Sequence, residues 1–326
     1  MAQLKRNEET YRRIFNRQWQ DRWHSDYDAA MHATPHEAPS ASRPSILRPG
    51  KLGGRAFHTL SQTETWSALL ALYNPNVWDV HEQRILYPTP RANFLANHPR
   101  SRGISFKPFA GTLDVADRLG LLSKHPKFRV CGDDSPDGMP VTLPFFYLGD
   151  LLIFIEDKLG VYAVNWNIKG TEQGFRTRLP YQFKAAPDPR NDSAVINRHL
   201  IEENYYLDAG IRTQRITKDR FHFDLRCNLF ELFLDHSLEI KINQEERLRA
   251  YEFFNEAIGA SVLANSVCRE VSARYNLTLR DAIALLRQGV WLRKIRVDLF
   301  RPFLMNKPLY REREDPLVHY ASWFKR

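Results

Sequence analysis

Apolar positions along the chain concentrate most clearly between Leu151 and Lys169. There Leu151 to Ile155 and Val161 to Ile168 are β-branched and aromatic runs on either side of Glu156-Asp157-Lys158-Leu159-Gly160. A polar turn ending in glycine between two such runs predicts an antiparallel hairpin. Strand side chains alternate faces, so Val161, Ala163, Asn165, Asn167 and Lys169 share one face and Tyr162, Val164, Trp166 and Ile168 the other. Asn167 and Lys169 therefore point together. Asp150 opens the partner strand, so a carboxylate, an amide and an ammonium converge at one end of an apolar hairpin. Upstream, Trp66, Leu69, Leu70 and Tyr73 recur at helical spacing, with Glu64 in the first turn.

The same patterning divides the rest of the chain. Residues 1 to about 25 read as a basic amphipathic helix, with Tyr11, Ile14, Phe15, Trp19 and Trp23 among Arg12, Arg13, Arg17 and Arg22. That stripe packs on its own domain or docks to a partner or DNA. A linker rich in proline and small polar residues runs from His32 to Pro44, and its histidines, with His24, are expected to be solvent-exposed rather than zinc ligands. Cys131 to Gly138 reads as a turn, because no spaced bidentate glutamate completes a calcium loop. Past Phe221, Gln244 to Ser266 predicts a long helix with Leu248, Tyr251, Phe254, Ile258 and Val262 as its stripe. Thr278 and Asp281 cap a second helix through Ala282, Leu285 and Leu286, which Gly289 is expected to stop before a β-like run from Val290 to Leu299. Helices followed by such strands suit a small winged-helix domain. The expected organisation is an N-terminal helix and linker (1–44), an α/β domain (45–221) and a mainly helical C-terminal domain (222–326).

Composition narrows the function class. The chain's 326 residues, 43% hydrophobic, are enough for about two cores. With 47 Lys plus Arg against 38 Asp plus Glu, the formal charge of +9 suits a polyanionic partner. Arg293, Lys294, Arg296 and Arg301, interleaved with Trp291 and Phe300, make one basic segment suited to a DNA backbone or a protein partner, unless it is merely solvated. Cys131, Cys227 and Cys268 are odd in number and far apart, which fits a reducing interior such as a bacterial cytoplasm. No apolar stretch approaches the roughly 20 residues that span a bilayer, so no membrane is expected as a partner. A phosphate-cradling glycine loop is absent, so ATP use is not expected.

Phosphodiester hydrolysis explains each residue type at the hairpin's end. A carboxylate holds a hard divalent cation through oxygen, and the cation withdraws charge from phosphate and acidifies its bound water. An ammonium beside that water orients it and offsets developing charge. The Asn167 amide oxygen and the Ile168 carbonyl can complete the shell, and Glu64 is the candidate second carboxylate. The competing readings are a solvated strand end, and for Glu64 a Ser61-x-x-Glu64 capping box folding back on the Ser61 amide.

The ordered blocks of this region resemble the TnsA-type endonuclease subunit of heteromeric TnsABC transposases. Gly53-Gly54-Arg55-Ala56-Phe57-His58-Thr59-Leu60-Ser61 followed by Glu64 resembles that family's lead into its helical glutamate, and Val77-Trp78-Asp79-Val80-His81-Glu82-Gln83 its Arg-Glu-Gln block, with His81 in place of arginine. Asp150 and Asn167-Ile168-Lys169 resemble its metal-binding aspartate and Gln-x-Lys signature, with asparagine one methylene shorter. Glu203-Asn204-Tyr205-Tyr206 and Ile211-Arg212-Thr213 resemble the helix and strand that finish its sheet. The likeness covers roughly residues 50 to 220, and Arg91 to Pro144 reads as longer than in relatives. It implies a restriction-endonuclease-like PD-(D/E)xK fold, a mixed sheet flanked by helices, and hydrolysis of the non-transferred strand at transposon ends. It implies Glu64, Asp150, Asn167 and Ile168 on Mg²⁺ (Mn²⁺ as substitute) and Lys169 beside the water. Its partners would be transposon-end duplex DNA, a TnsB-type transposase and a TnsC-type AAA+ ATPase. The alternatives are a stand-alone restriction or repair nuclease and an inactive DNA-binding regulator of the same fold.

Overall fold

In the computed structural model, which describes residues 6–39, 42–130, 140–177 and 192–326, the chain gathers into two units. One holds the residues up to Thr65, Asn76–Asp219 and the last two residues; the other holds Trp66–Pro75 and Arg220–Phe324.

The first unit contains α1 (Glu8–Gln18), β1 (Ser45–Leu47), β2 (Phe57–Thr59), the first turn of α2 (Gln62–Tyr73), β3 (Val77–Glu82) and β4 (Ile85–Leu86). These are followed by α3 (Thr112–Arg118), β5 (Lys127–Val130), β6 (Val141–Pro144), β7 (Tyr147–Leu148), β8 (Leu151–Asp157), β9 (Gly160–Lys169), α4 (Ser193–Asp208) and β10 (Arg212–Thr217). The central sheet runs β10-β9-β8-β3, with β10 parallel to β9 and the other pairs antiparallel. This is a mixed α/β arrangement, and α4 lies on the crossover that a parallel β9–β10 pair requires.

The hairpin forms where the alternation predicts it, but its turn is tighter than the polar stretch suggests. The ladder runs from Leu151↔Trp166 to Asp157↔Gly160, which leaves Lys158 and Leu159 as the loop. Glu156 and Asp157 are exposed at the strand end, so their polarity does not oppose pairing. Gly160 takes φ 104°, a conformation open to glycine, while Lys158 and Leu159 keep negative φ, the pattern of a type I turn followed by a glycine bulge. Leu152, Phe154, Val161 and Ala163 bury one sheet face with Ile201 and Tyr205 of α4.

The N-terminal helix is shorter than expected, and its own unit covers Tyr11 and Ile14 of the stripe but leaves Phe15 exposed. Asn7 caps it by accepting from the Thr10 amide, and it ends at Gln18. The Gln18 side chain is engaged by Tyr27 Oη and the Ile85 amide. Tyr11 stacks on Phe128 and Phe146 at 4.8 and 4.6 Å, and Ile14 is fully buried. Beyond the helix the backbone extends at Trp23, which reaches Trp78 and Phe154, while Trp19 remains 51% exposed.

The proline-rich segment after it is anchored rather than free. Glu37 takes two bonds from Arg17 at 2.8 and 2.9 Å. His32 is half-buried, 2.6 Å from Asp28 and stacked on His58, which corrects the expectation of exposed linker histidines; His36 is exposed. Ser40 and Ala41 of the linker and the Cys131–Met139 stretch, with its expected turn, lie outside the described residues.

The second unit is helical: α5 (Phe223–Asp235), α6 (Gln244–Glu256), α7 (Ala264–Arg274), α8 (Leu279–Trp291) and the short α9 (Pro316–His319), with most of α2. The expected single helix from Gln244 to Ser266 is two. The chain leaves helix after Glu256, turns at Gly259 with φ 85°, and restarts at Ala264. Tyr251 and Phe254 are buried, whereas Leu248 and Val262 are exposed.

Thr278 caps α8 as expected, accepting from the Asp281 amide at 3.1 Å. Gly289 does not stop that helix, which continues to Trp291. Its lack of a side chain serves packing instead, since a Cβ there would lie 2.4 Å from Ile295 Cδ1 and 2.9 Å from Tyr251 Cε1. The run from Val290 to Leu299 forms no strand, because α8 consumes its start and only a single bridge, Val297↔Arg311, follows among the described residues. No helix among the described residues is long and apolar enough to cross a membrane.

Candidate active site

Three of the four groups expected to hold a cation, Asp150, Asn167 and the Ile168 carbonyl, meet Lys169 at the end of the β8–β9 hairpin. The ammonium lies 2.9 Å from Asp150 Oδ2, 3.2 Å from Asn167 Oδ1 and 2.8 Å from the Ile168 carbonyl. The same Asp150 oxygen accepts from the Ile168 amide at 2.7 Å, tying the aspartate to the end of β9. Asp150 is buried and the lysine side chain is only 11% exposed, so charge is weakly screened here. The ammonium's three donors are thus met by three oxygens. Gly174 allows this close approach, since a Cβ at that position would lie 3.2 Å from Lys169 Cβ.

Glu64 occupies the first turn of α2, and both roles read from its sequence apply. Ser61 caps the helix, its hydroxyl accepting from the Glu64 amide at 3.2 Å and donating to Glu64 Oε1 at 3.0 Å. The carboxylate folds back on the Leu60 amide, at 2.9 Å, not on that of Ser61 as the capping reading had it. Burial and the charge of Asp150 push Glu64 up to about 7, while the Leu60 and Ser61 donors and Lys169 pull it down.

Gln83 ties Glu64 to Asp150. Its side chain donates to Glu64 Oε2 at 3.1 Å, and its backbone amide donates to the Asp150 carbonyl at 3.0 Å. It does so at φ 52°, a conformation uncommon outside glycine. Glu82 beside it faces the other way. It takes two bonds from buried Arg55, at 2.7 and 2.8 Å, and accepts from the His58 amide, fastening the β2 segment to β3. His81 is fully buried against Tyr27 and 3.4 Å from Asp79, away from these carboxylates' hydrogen bonds; burial pushes it down to about 4.

Two further residues come from α4, whose inner face lies along the polar face of β9. His199 Nδ1 is 2.8 Å from Asn167 Nδ2, so the ring accepts from the amide and leaves Asn167 Oδ1 aimed at Lys169. Burial and the charges of Lys169, Arg198 and Arg215 depress His199 to about 2, which keeps the ring an acceptor. Glu202, one turn on, accepts from Asn165 Nδ2 at 3.1 Å through one oxygen, while its other oxygen is buried with no hydrogen-bond partner. Burial and Asp150 push it up to about 7, against the pull of Arg198. Neither residue belongs to a motif that marks it in the sequence. The available signal was the arc set by Ile201, Tyr205 and Tyr206, which encloses Glu202 on the buried side of the helix.

The remaining predicted residues lie elsewhere. Arg293 makes two bonds to Asp315, Arg296 bonds Glu312 and Asp315, and Arg301 lies 3.6 Å from Asp298, whereas Lys294 is exposed. Most of that segment's charge is therefore neutralised within its own unit.

Asp150, Glu64, Asn167 and the Ile168 carbonyl offer oxygen donors only, two of them carboxylates, the chemistry that suits a hard divalent ion such as Mg²⁺. Among the described residues no group of three or more His, Cys, Asp or Glu side chains is placed to hold a metal, so the fit depends on the amide and carbonyl oxygens. The Lys169 ammonium already shows that Asp150, Asn167 and Ile168 turn their oxygens toward positive charge. No protein-family model matches the chain and no curated protein matches it significantly. The family resemblance therefore rests on the residues themselves.

Proposed function

We propose that the chain is a divalent-metal-dependent DNA endonuclease, and specifically the TnsA-type subunit that cuts the non-transferred strand at transposon ends. The observation that carries this reading is the convergence of Asp150 Oδ2, Asn167 Oδ1 and the Ile168 carbonyl on Lys169 Nζ, with Glu64 joined to Asp150 through Gln83. In this reading the first unit is a restriction-endonuclease-like domain, and the second, in which α7 and α8 precede the bridged 297/311 segment, is winged-helix-like.

Asp150, Glu64, Asn167 and the Ile168 carbonyl would hold Mg²⁺ or Mn²⁺. The bound ion would supply Lewis acidity toward a phosphate oxygen and acidify a water. Lys169 then orients the attacking water and stabilises charge on the phosphorane as a point charge. Burial and the charge of Asp150 raise Glu64 above the usual carboxylate range in the metal-free chain, so binding of a cation would release its proton. Gln83 and His199 act through their neighbours, the first by holding Glu64 against Asp150, the second by fixing which end of the Asn167 amide faces the lysine.

A TnsB-type transposase would cut the other strand, and a TnsC-type AAA+ ATPase would regulate assembly. The internal pairing of Arg293 and Arg296 favours partner docking over phosphate contact at that segment. Calorimetric titration with Mn²⁺ tests the site directly. Binding in the wild type that is lost in Asp150→Ala supports it; equal binding by both proteins would refute it.

A further inference from the structure

Helix α5 carries large apolar side chains on its outer face as well as its inner one, which is unusual for a helix that its own chain covers on one side only. Its inner face carries Leu225, Leu229 and Leu232, all fully buried, and Phe233 at 6% exposure. Its outer face carries Phe223, Phe230 and Leu234, at 63%, 40% and 58% exposure, with exposed Cys227 between them. The steps from 223 to 227, 230 and 234 are four, three and four residues, the d-a-d-a spacing of a coiled-coil seam. Arg226 and Glu231 flank the seam on opposite sides, in the positions written g and e.

We propose that this outer face of α5 packs in parallel, about a two-fold axis, on α5 of a second copy of this chain. The flanking charges choose both the occupant and the direction. In a parallel pair, a g residue meets the e residue five positions further along the other helix. Arg226 of each copy would therefore meet Glu231 of the other, and the two-fold axis makes that contact twice. An antiparallel pair would bring each flank against its like, arginine facing arginine and glutamate facing glutamate.

Both side chains are available. Glu231 lies 3.2 Å from Arg287, yet its side chain remains 49% exposed. Arg226 rests its guanidinium over Trp66 and Phe223, at 4.1 and 4.9 Å, which places it along the seam. Cys227 falls at an a position, where parallel helices bring the same residue of both copies face to face. Four seam residues cover less than the roughly 800 Å² per partner of a standard stable interface, so self-association is expected at micromolar concentration. The inference rests on the second unit alone and is independent of the chemistry proposed for the first.

The test is sedimentation equilibrium of the full chain from about 1 to 100 µM, joined to mild oxidation in a Cys131→Ser background. The proposal expects a concentration-dependent dimer and a disulfide-linked dimer that Cys227→Ser removes. Arg226→Glu should weaken the dimer by roughly tenfold, since it turns two attractive contacts into repulsive ones, and Arg226→Glu with Glu231→Arg should restore it. Circular dichroism of each variant confirms that the fold is retained. A chain that stays monomeric throughout overturns the proposal and leaves the seam to a different kind of partner. A dimer indifferent to the charge exchange, or one that never links through Cys227, overturns the parallel pairing.

Discussion

Glu202 shows how a single buried carboxyl sets a pH dependence. Burial and Asp150 push it up to about 7, so the folded chain holds this proton to higher pH than the unfolded chain, where the ordinary value is 4.5. Between those values the folded state binds more protons, and stability from this group falls as pH rises, levelling above the folded value. Glu64 acts in the same direction. His58 and His81, both depressed to about 4 chiefly by burial, act oppositely up to 6.5, so the whole-protein profile mixes both signs. Comparing Glu202→Gln with wild type isolates the carboxyl. The variant's urea midpoint should gain on the wild type as pH rises from about 5 to 7.5 and then level off; a gap that does not change with pH would mean that this carboxyl is not raised. Lys169 and Asn167 were legible as residues because strand alternation alone puts them on one face. Glu202 and His199 were not, because their placement depends on how α4 lies across β9, a tertiary fact that no local period encodes.

At the scale of elements, the hairpin was legible and the helix ends were not. Apolar runs fix strands through burial on both faces, whereas a helix terminus depends on what the terminal side chain meets. Gln18 ends α1 where its amide is taken by Tyr27 and Ile85, and Gly289 sits inside α8 because Ile295 and Tyr251 leave no room for a side chain. A glycine read as a stop was a packing requirement. Gly289→Ala should therefore destabilise by about 1–3 kcal/mol despite alanine's better helix propensity, measurable as a lower denaturation midpoint; stabilisation would show that Ile295 yields freely. The Arg55–Glu82 pair joins β2 to β3 in a setting where both side chains are at most 5% exposed. Arg55→Ala leaves Glu82 buried without its main partner and should cost about 3–5 kcal/mol by chemical denaturation. A loss below about 1 kcal/mol, the range of an exposed pair, would place the pair at the surface in solution.

At the scale of the molecule, Arg17, Arg55, Arg84, Arg293 and Arg296 are ion-paired within the chain. Each such pair cancels one charge of either sign, so the net excess of +9 is carried by other basic residues. The N-terminal helix is likewise part of the first unit's core through Tyr11 and Ile14. Removing residues 1–25 should lower thermal stability and expose Phe128 and Phe146; an unchanged melting temperature would mark the helix as a detachable arm. Strand cleavage at the Asp150–Lys169 site is the activity proposed for the molecule. Its most direct test mixes the chain with its candidate transposase and ATPase partners, Mg²⁺ and strand-labelled transposon-end DNA, and compares wild type with Asp150→Ala. The expected result is partner-dependent cutting of the non-transferred strand alone, leaving a 5'-phosphate and a 3'-hydroxyl, and its loss in the variant. Cutting that survives Asp150→Ala, or no cutting by the wild type, would contradict it.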